Sequence, residues 1–511
     1  MCAARPYGRQ VLATARTFTL LGVGAHEVIV EVDVHRGLPA FSLVGLPDAA
    51  VRESRERVRA ALTNSDFEFP LQRITASLAP ADLRKAGPGL DLAIAAALIA
   101  ASGQLPAEGL RDWCLAGELA LDGTVRPVPG VLAMAEQAHR AGAAGVAVAA
   151  ANAAEAALID GLAVAPLHTL AELAQLARGE LASFDAPPPS PNGSAPEHLP
   201  DLSDLRGQPG LRRVLEIAAA GGHSLLMTGP PGAGKSLAAR RLPSLLPPLT
   251  RDEAIEVTRI ASVCGHPPPP GRLAPRPFRA PHHTVSAAGL VGGGNPPRPG
   301  EVTLAHGGVL FLDELGEFGR PALEALRQPL EEGRVSIVRT GHAIDLPCRF
   351  MLVAAANPCP CGRGEDSDRC ACSPPAVRAY RSKLSGALAD RIDLLAHIGQ
   401  PSAAAMGGPA GESSAAVRER VAEARERQAR RLGPGRLNAE MTPAETRRHC
   451  RLESSGRQAL AEGHARLGLS GRGHERVLRV ARTIGDLNGE GRVEGDALSE
   501  ALALRRREGD A

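Results

Sequence analysis

Aromatic side chains are nearly missing. One tryptophan, two tyrosines and nine phenylalanines make up 2% of 511 residues. Any core must therefore be built from Ala, Leu and Val. Lysine is scarcer still: of 58 basic residues, only Lys85, Lys235 and Lys383 are lysines. No apolar run is long enough to cross a bilayer. The N-terminus has no basic-then-apolar signal pattern, so the expected location is cytoplasmic. Net charge is only +2, which excludes an overall basic field and leaves nucleic-acid binding to local patches. What is present is 44% hydrophobic residues, a globular composition, on a chain too long for one core. About two to four domains are expected.

Against that background one stretch stands out. An apolar run, Leu225-Leu226-Met227-Thr228, enters Gly229-Pro230-Pro231-Gly232-Ala233-Gly234-Lys235-Ser236, and a helix-like stretch follows. This is G-x-x-x-x-G-K-[ST] at a strand-to-helix bend. Glycines let backbone N–H groups turn inward and approach phosphates. The helix N-terminus adds partial positive charge. Lys235 can reach β- and γ-phosphates, and the Ser236 hydroxyl can ligate Mg²⁺, so ATP with Mg²⁺ is the expected ligand pair.

A second apolar run, 309–312, ends in Asp313 and Glu314. In a phosphate-loop enzyme Asp313 would hold Mg²⁺ and Glu314 would polarise the attacking water. Residues 350–356 form a third apolar strand that stops at Asn357, placed to orient that water. Residues 335–338 and 344–346 flank 339–343 as a hairpin with a basic tip, Arg339 to His342.

Residues 1–182 alternate strand-like text (27–34, 40–44, 74–78, 144–149) with helix-like text (48–63, 90–102) and read as an α/β domain. Residues 183–200 are Pro/Ser-rich and read as a linker. Residues 201–400 carry the phosphate loop. A Gly/Ala/Ser loop at 401–412 reads as a second boundary, before helices over 415–509. Adjacent His282 and His283 invite a metal reading, but neighbouring side chains diverge, which favours a structural or substrate-contact role. Cys359, Cys361, Cys370 and Cys372 are spaced for a tetrahedral structural Zn²⁺ site, with a set of free thiols as the alternative. Arg476, Arg479 and Arg482 recur every three residues on one helix. That face meets a nucleotide or DNA, or it is surface charge.

Two N-terminal pieces, KAGPGLD (85–91) and GEL…VRPVPG (117–130), resemble the Lon protease-type domain of ribosomal-S5-like fold. Active members of that family have serine where this chain has Gly89. They also have a lysine in the later segment, and none occurs here between Val125 and Gly142. The resemblance thus implies a structural or binding module, not an active peptidase.

Across nearly the whole chain, GPPGAGKS (229–236), FRAPHHT (278–284), AHGGVLFLDE (305–314), NPCPCG (357–362), LADRIDL (388–394) and GESS (411–414) resemble the magnesium-chelatase-like AAA+ ATPases. The chain is most similar to the YifB/ComM family. The resemblance implies an N-terminal Lon-like domain, an AAA+ P-loop core and a C-terminal helical lid. It implies residues 229–236 as the ATP loop, Asp313 and Glu314 as the Mg²⁺ and catalytic acids, and Asn357 as sensor. Arg391 would project into a neighbouring subunit's site, and Arg472 or Arg479 would be the lid arginine. The implied activity is a hexameric DNA helicase driving branch migration in recombination or transformation. The ATPase subunit of a magnesium chelatase is the alternative. A sigma-54-type activator ranks lower, because its GAFTGA loop is absent. A non-hydrolysing scaffold is disfavoured by the acids and Asn357.

Overall fold

The computed structural model describes residues 12–184, 199–294, 297–339, 342–364, 370–385, 388 and 391–505. The chain divides into two compact units. One comprises residues 1–194 with 251–274, and the other 195–250 with 275–511.

The first unit is built on a mixed sheet of seven strands. Their order is Ala40–Val44, Arg73–Ala79, Gly24–His35, Ala13–Leu21, Trp113–Ala116, Gly145–Ala149 and Ala163–Leu167. Gly24–His35 shows why alternation makes a strand: Val28, Val30 and Val32 are fully buried while their neighbours are not. The helix Asp91–Ala101 is apolar on every face and buried along its whole length, which is where alanine substitutes for bulk. Its N-terminal Asp91 is fully buried and fully paired. Arg57 Nε donates at 2.6 Å, the Leu119 N–H at 3.2 Å, and Ser54 Oγ also donates. An acid there also suits the positive end of the helix dipole.

Residues 251–274 are proline-rich at their C-terminal end, yet they open with the helix Arg251–Val263. Arg259 pairs with Glu136 at 2.7 Å and Arg251 with Asp160 at 2.8 Å, so this insertion packs with the first unit.

The second unit holds a five-stranded sheet in which each strand pairs with its neighbour in parallel. Its order is Phe278–Arg279, Val309–Leu312, Met351–Ala356, Leu225–Thr228, Leu394–His397. The strands Val309–Leu312 and Met351–Ala356 are buried on both faces, as apolar runs without alternation require. Leu225, Phe311, Val353 and Leu394 share one core with Val421, Ala424, Ile484 and Leu498. The helices Ser414–Leu432, Gly471–Asn488 and Gly495–Ala503 thus pack into the unit that holds the sheet. Two short helices, Arg320–Ala325 and Arg327–Glu332, follow one another, and Gly333 closes the second in a left-handed conformation. The expected hairpin is formed by Arg334–Arg339 and His342–Pro347. Its tip, residues 340 and 341 with the side chains of Arg339 and His342, lies outside the described residues. No helix among the described residues is long and apolar enough to cross a membrane.

Candidate nucleotide site

Because the strands run parallel, their C-terminal ends meet at one edge, and the functional loops leave from there. Leu225 lies opposite Val353 and Leu394, and Leu312 lies opposite Ala354. Register therefore brings Gly229, Asp313 and Asn357 together, and residues 398–400 close the same edge.

The phosphate loop is held tightly. A Cβ at Gly229 would meet the Ile398 carbonyl oxygen at 2.2 Å. Gly232 and Gly234 adopt φ of 79° and 91°, the left-handed region that glycine enters without strain. Lys235 opens the helix Lys235–Leu245 behind Gly234, and no side chain caps that helix. Lys235 Nζ donates to the carbonyls of Gly229 and Pro230 (3.1 Å for Pro230) and to Asn357 Oδ1 at 3.1 Å. Burial pulls its ammonium below the ordinary lysine range, opposed by the negative charges of Asp313 and Glu314. A buried cation under such strain favours an anionic ligand. Ser236 Oγ donates to Asp313 Oδ2 at 2.6 Å, so a hydroxyl and a carboxylate oxygen converge where a hard cation would take oxygen ligands.

Glu314 follows in a left-handed conformation, φ 52°, unusual for a non-glycine residue, and its side chain is exposed. His283 Nδ1 lies 3.7 Å from Glu314 Oε2, and the rings of His282 and His283 face each other 4.1 Å apart. The paired histidines are thus set against the acid. Among the described residues the one cluster of three or more His, Cys, Asp or Glu placed to hold an ion is the cysteine set.

Sequence reasoning missed Gln208. Its Nε2 donates to the Ala233 carbonyl at 2.7 Å, while its buried Oε1 has no hydrogen-bond partner. A buried acceptor left open beside the loop fits a ligand that brings its own donor. Gln400 Nε2 likewise holds the Pro231 carbonyl at 3.2 Å. Neither residue belongs to a pattern that text can reveal. Phosphate loop, uncapped helix start, oxygen pair and orphaned acceptor together fit a magnesium nucleotide.

The arginines lie elsewhere. Arg391 precedes the strand Leu394–His397, and its carbonyl accepts from Ser224 Oγ at 2.9 Å, at the opposite edge of the sheet. Arg391 pairs with Glu331 at 2.6 Å, and Arg472 joins the same carboxylate at 3.1 Å. Arg479 donates to the Ala439 carbonyl at 3.0 Å within the helical region. Arg476 pairs with buried Asp393, and Arg482 with buried Asp486. Arg476 and Arg482 therefore serve internal ion pairs and are not a solvated face. Arg391 and Arg472 are brought together, but not to the phosphate loop of their own chain.

The four thiols of Cys359, Cys361, Cys370 and Cys372 lie within 4.8 Å of one another and can hold a metal ion. Cys359 Sγ is 3.3 Å from Cys361 Sγ and 3.8 Å from Cys370 Sγ. A tetrahedral Zn–S length of about 2.3 Å demands sulfur separations of about 3.8 Å. Hydrogen bonds from the Arg363 backbone and from Cys359 draw the Cys361 thiol down to about 6. At Cys370 and Cys372 backbone hydrogen bonds also pull downward, but burial and hydrogen bonds to the other thiols outweigh them and push Cys370 up and Cys372 up to about 12.

Three family models match the chain in order. Subunit ChlI of Mg-chelatase matches residues 30–152, magnesium chelatase subunit ChlI residues 201–406, and the magnesium chelatase subunit ChlI C-terminal model residues 411–505. The uncharacterized protein YifB of Escherichia coli is 43% identical, with 97% of each chain covered. Competence protein ComM of Haemophilus influenzae is 42% identical, also over 97% of each. An uncharacterized protein of Mycobacterium tuberculosis is 45% identical over 97% of this chain and 99% of its own.

Proposed function

Because the chain belongs to the magnesium-chelatase-like YifB/ComM family, we propose that it is a Mg²⁺-dependent AAA+ ATPase that works as a hexameric motor on DNA. The observation that carries the ATPase reading is the convergence of Lys235, the Ser236–Asp313 pair and Asn357 at one sheet edge. In this reading residues 229–236 cradle the phosphates, and Lys235 neutralises charge on the transferring group. Ser236 and Asp313 hold Mg²⁺, which would supply charge stabilisation to the phosphate oxygens. Glu314 takes a proton from the attacking water, and Asn357 aligns it. His283 sits where it can set the Glu314 side chain. Arg391 serves a neighbouring subunit, and an arginine of the helical lid, Arg472 or Arg479, completes the nucleotide site once that region adjusts. The ion proposed for the four thiols is Zn²⁺.

The relative named competence protein supports DNA as the partner, and branch migration in recombination or transformation as the work. The N-terminal domain is read as Lon-like, without peptidase activity, since Gly89 replaces the nucleophile. DNA would meet the Arg339–His342 hairpin through backbone contacts that need no base sequence and weaken with salt. The alternative, a subunit that drives metal insertion into a porphyrin, is favoured by the descriptions of the matching models.

The test is the ATPase rate without DNA and with single strands, forks and four-way junctions. Stimulation by branched or single-stranded DNA, lost as salt rises, is expected. No response to any DNA, with porphyrin-dependent metal insertion, would establish the alternative.

A further inference from the structure

The thiol cluster takes part in none of the steps above, yet both of its ends run into the catalytic wall. Cys359 stands two residues after Asn357. The turn that follows closes with the Gly362 N–H donating to the Cys359 carbonyl at 2.9 Å. Gly362 has φ 81°, and a Cβ there would lie 2.8 Å from Pro231 Cδ and Cγ. The cysteine turn therefore rests directly on the phosphate loop. The Gly364 N–H donates to Cys359 Sγ at 3.3 Å, the kind of contact that steadies a thiolate ligand.

At the other end, Cys372 leads into the helix Pro374–Ser385, which carries Tyr380. Tyr380 is buried, and its hydroxyl lies near enough to the Asn357 backbone to feel its dipole. Its ring covers Gly316, where a Cβ would sit 2.4 Å from Tyr380 Cε2. Gly316 follows Glu314 by two residues. The sulfurs thus join two segments, one ending on Asn357 and Pro231, the other on Asn357 and the Glu314 turn.

We propose that the four cysteines bind one Zn²⁺ and that the bound ion braces the catalytic wall, holding Asn357 and, through Tyr380, the Glu314 turn in register with the phosphate loop. The inference rests on the ATPase reading. Four thiolates on one ion cross-link residues 359–361 to 370–372. Without it, the two segments keep thiol contacts and the intervening chain but lose the metal cross-link, and can part. Lys235, Ser236 and the loop glycines touch this wall at Asn357 and Pro231 but have their own anchor in the strand Leu225–Thr228, which does not depend on the thiols. The brace therefore governs turnover more than nucleotide affinity, and Tyr380 is a positioning residue.

The experiment uses full-length protein. Elemental analysis should find about one zinc per chain, as a four-cysteine site requires. Zinc is then stripped with a reversible thiol reagent and a chelator. Turnover, KM for ATP and circular dichroism are recorded before and after Zn²⁺ alone is restored. Stripping should lower kcat about 10- to 100-fold, the cost of misplaced catalytic groups, with KM nearly unchanged and recovery on reloading. Cys361→Ser should lose zinc and turnover together, beyond rescue by added Zn²⁺. Tyr380→Phe should keep zinc and lower kcat, and Tyr380→Ala should lower it further. If Cys361→Ser does not fold, the strip-and-reload measurement on the native chain decides. Zinc-free protein as isolated, or stripped and folded protein with unchanged kcat, would overturn the brace. A zinc-loaded chain that turns over no ATP would overturn the ATPase reading and the brace with it, leaving the zinc count to stand.

Discussion

At the scale of residues, Lys235 and Glu314 face each other across the candidate site with opposite problems. Lys235 is a buried cation whose neighbours are carbonyls and Asn357. Glu314 is an exposed acid on a left-handed backbone, a conformation that costs a non-glycine residue about 1–3 kcal/mol. Lys235→Ala should lose nucleotide affinity and turnover together. Glu314→Gln keeps size and hydrogen bonding but cannot take a proton. It should bind ATP normally and lose about 100-fold or more in kcat. Fluorescent-nucleotide titration alongside phosphate release separates the two, and wild-type turnover by Glu314→Gln would remove its assigned role. The loop was legible in the sequence because phosphate chemistry dictates residue types at fixed spacing. Gln208 and Tyr380 were not legible as site residues, because segments far apart in sequence bring them there, whereas His283 was legible only as a structural or substrate-contact residue. Arg482 was misjudged for another reason: Asp486 lies four residues on, and text cannot distinguish a buried i,i+4 pair from a surface one.

At the scale of elements, strict periodicity was readable and mixed apolar text was not. Residues 27–34 alternate and lie within Gly24–His35. Trp113–Ala116 and Ala163–Leu167 are short and almost wholly apolar, without a period to read, and both went unassigned. The helix Arg251–Val263 was hidden by prolines before and after it. One joint between elements carries a stability prediction. Asp393 opens the strand Leu394–His397 and is bound by Arg476, by His223 Nδ1 at 3.3 Å and by the Ser224 N–H at 3.2 Å. Burial alone would raise its carboxyl, but Arg476 and His223 outweigh that and hold it far below the usual carboxylate range. A depressed folded-state value means that its stabilisation is fully present above the unfolded value of about 3.9 and is lost as pH falls below it. Asp393→Asn should cost about 3–5 kcal/mol at neutral pH by stranding Arg476. It should also flatten the acid limb of the stability curve. Urea unfolding of both proteins from pH 7 to pH 3 checks this, and parallel acid limbs would show that the pair does not contribute as described.

At the scale of the whole molecule, the role proposed for Arg391 sets how many chains make a working site. It lies before the strand Leu394–His397, beside Ser224 and not beside Gly229. The strand between those points spans about 13 Å at 3.3 Å per residue, too far for a side chain to return to its own phosphate loop. Arg391 is instead paired with Glu331, which Arg472 shares. The proposal that Arg391 serves a neighbour's site requires a head-to-tail contact, and such contacts close into a ring when the rotation allows. On this account Arg391→Ala binds ATP and assembles but barely hydrolyses, and Lys235→Ala cannot bind. Each supplies what the other lacks at some interfaces. The most direct measurement is ATP turnover by each variant alone and by mixtures across the full range of ratios. Near-zero rates at both ends with a maximum between them are predicted. A flat, inactive profile from demonstrably mixed assemblies, or full wild-type turnover by monomeric protein at high dilution, would contradict the shared site.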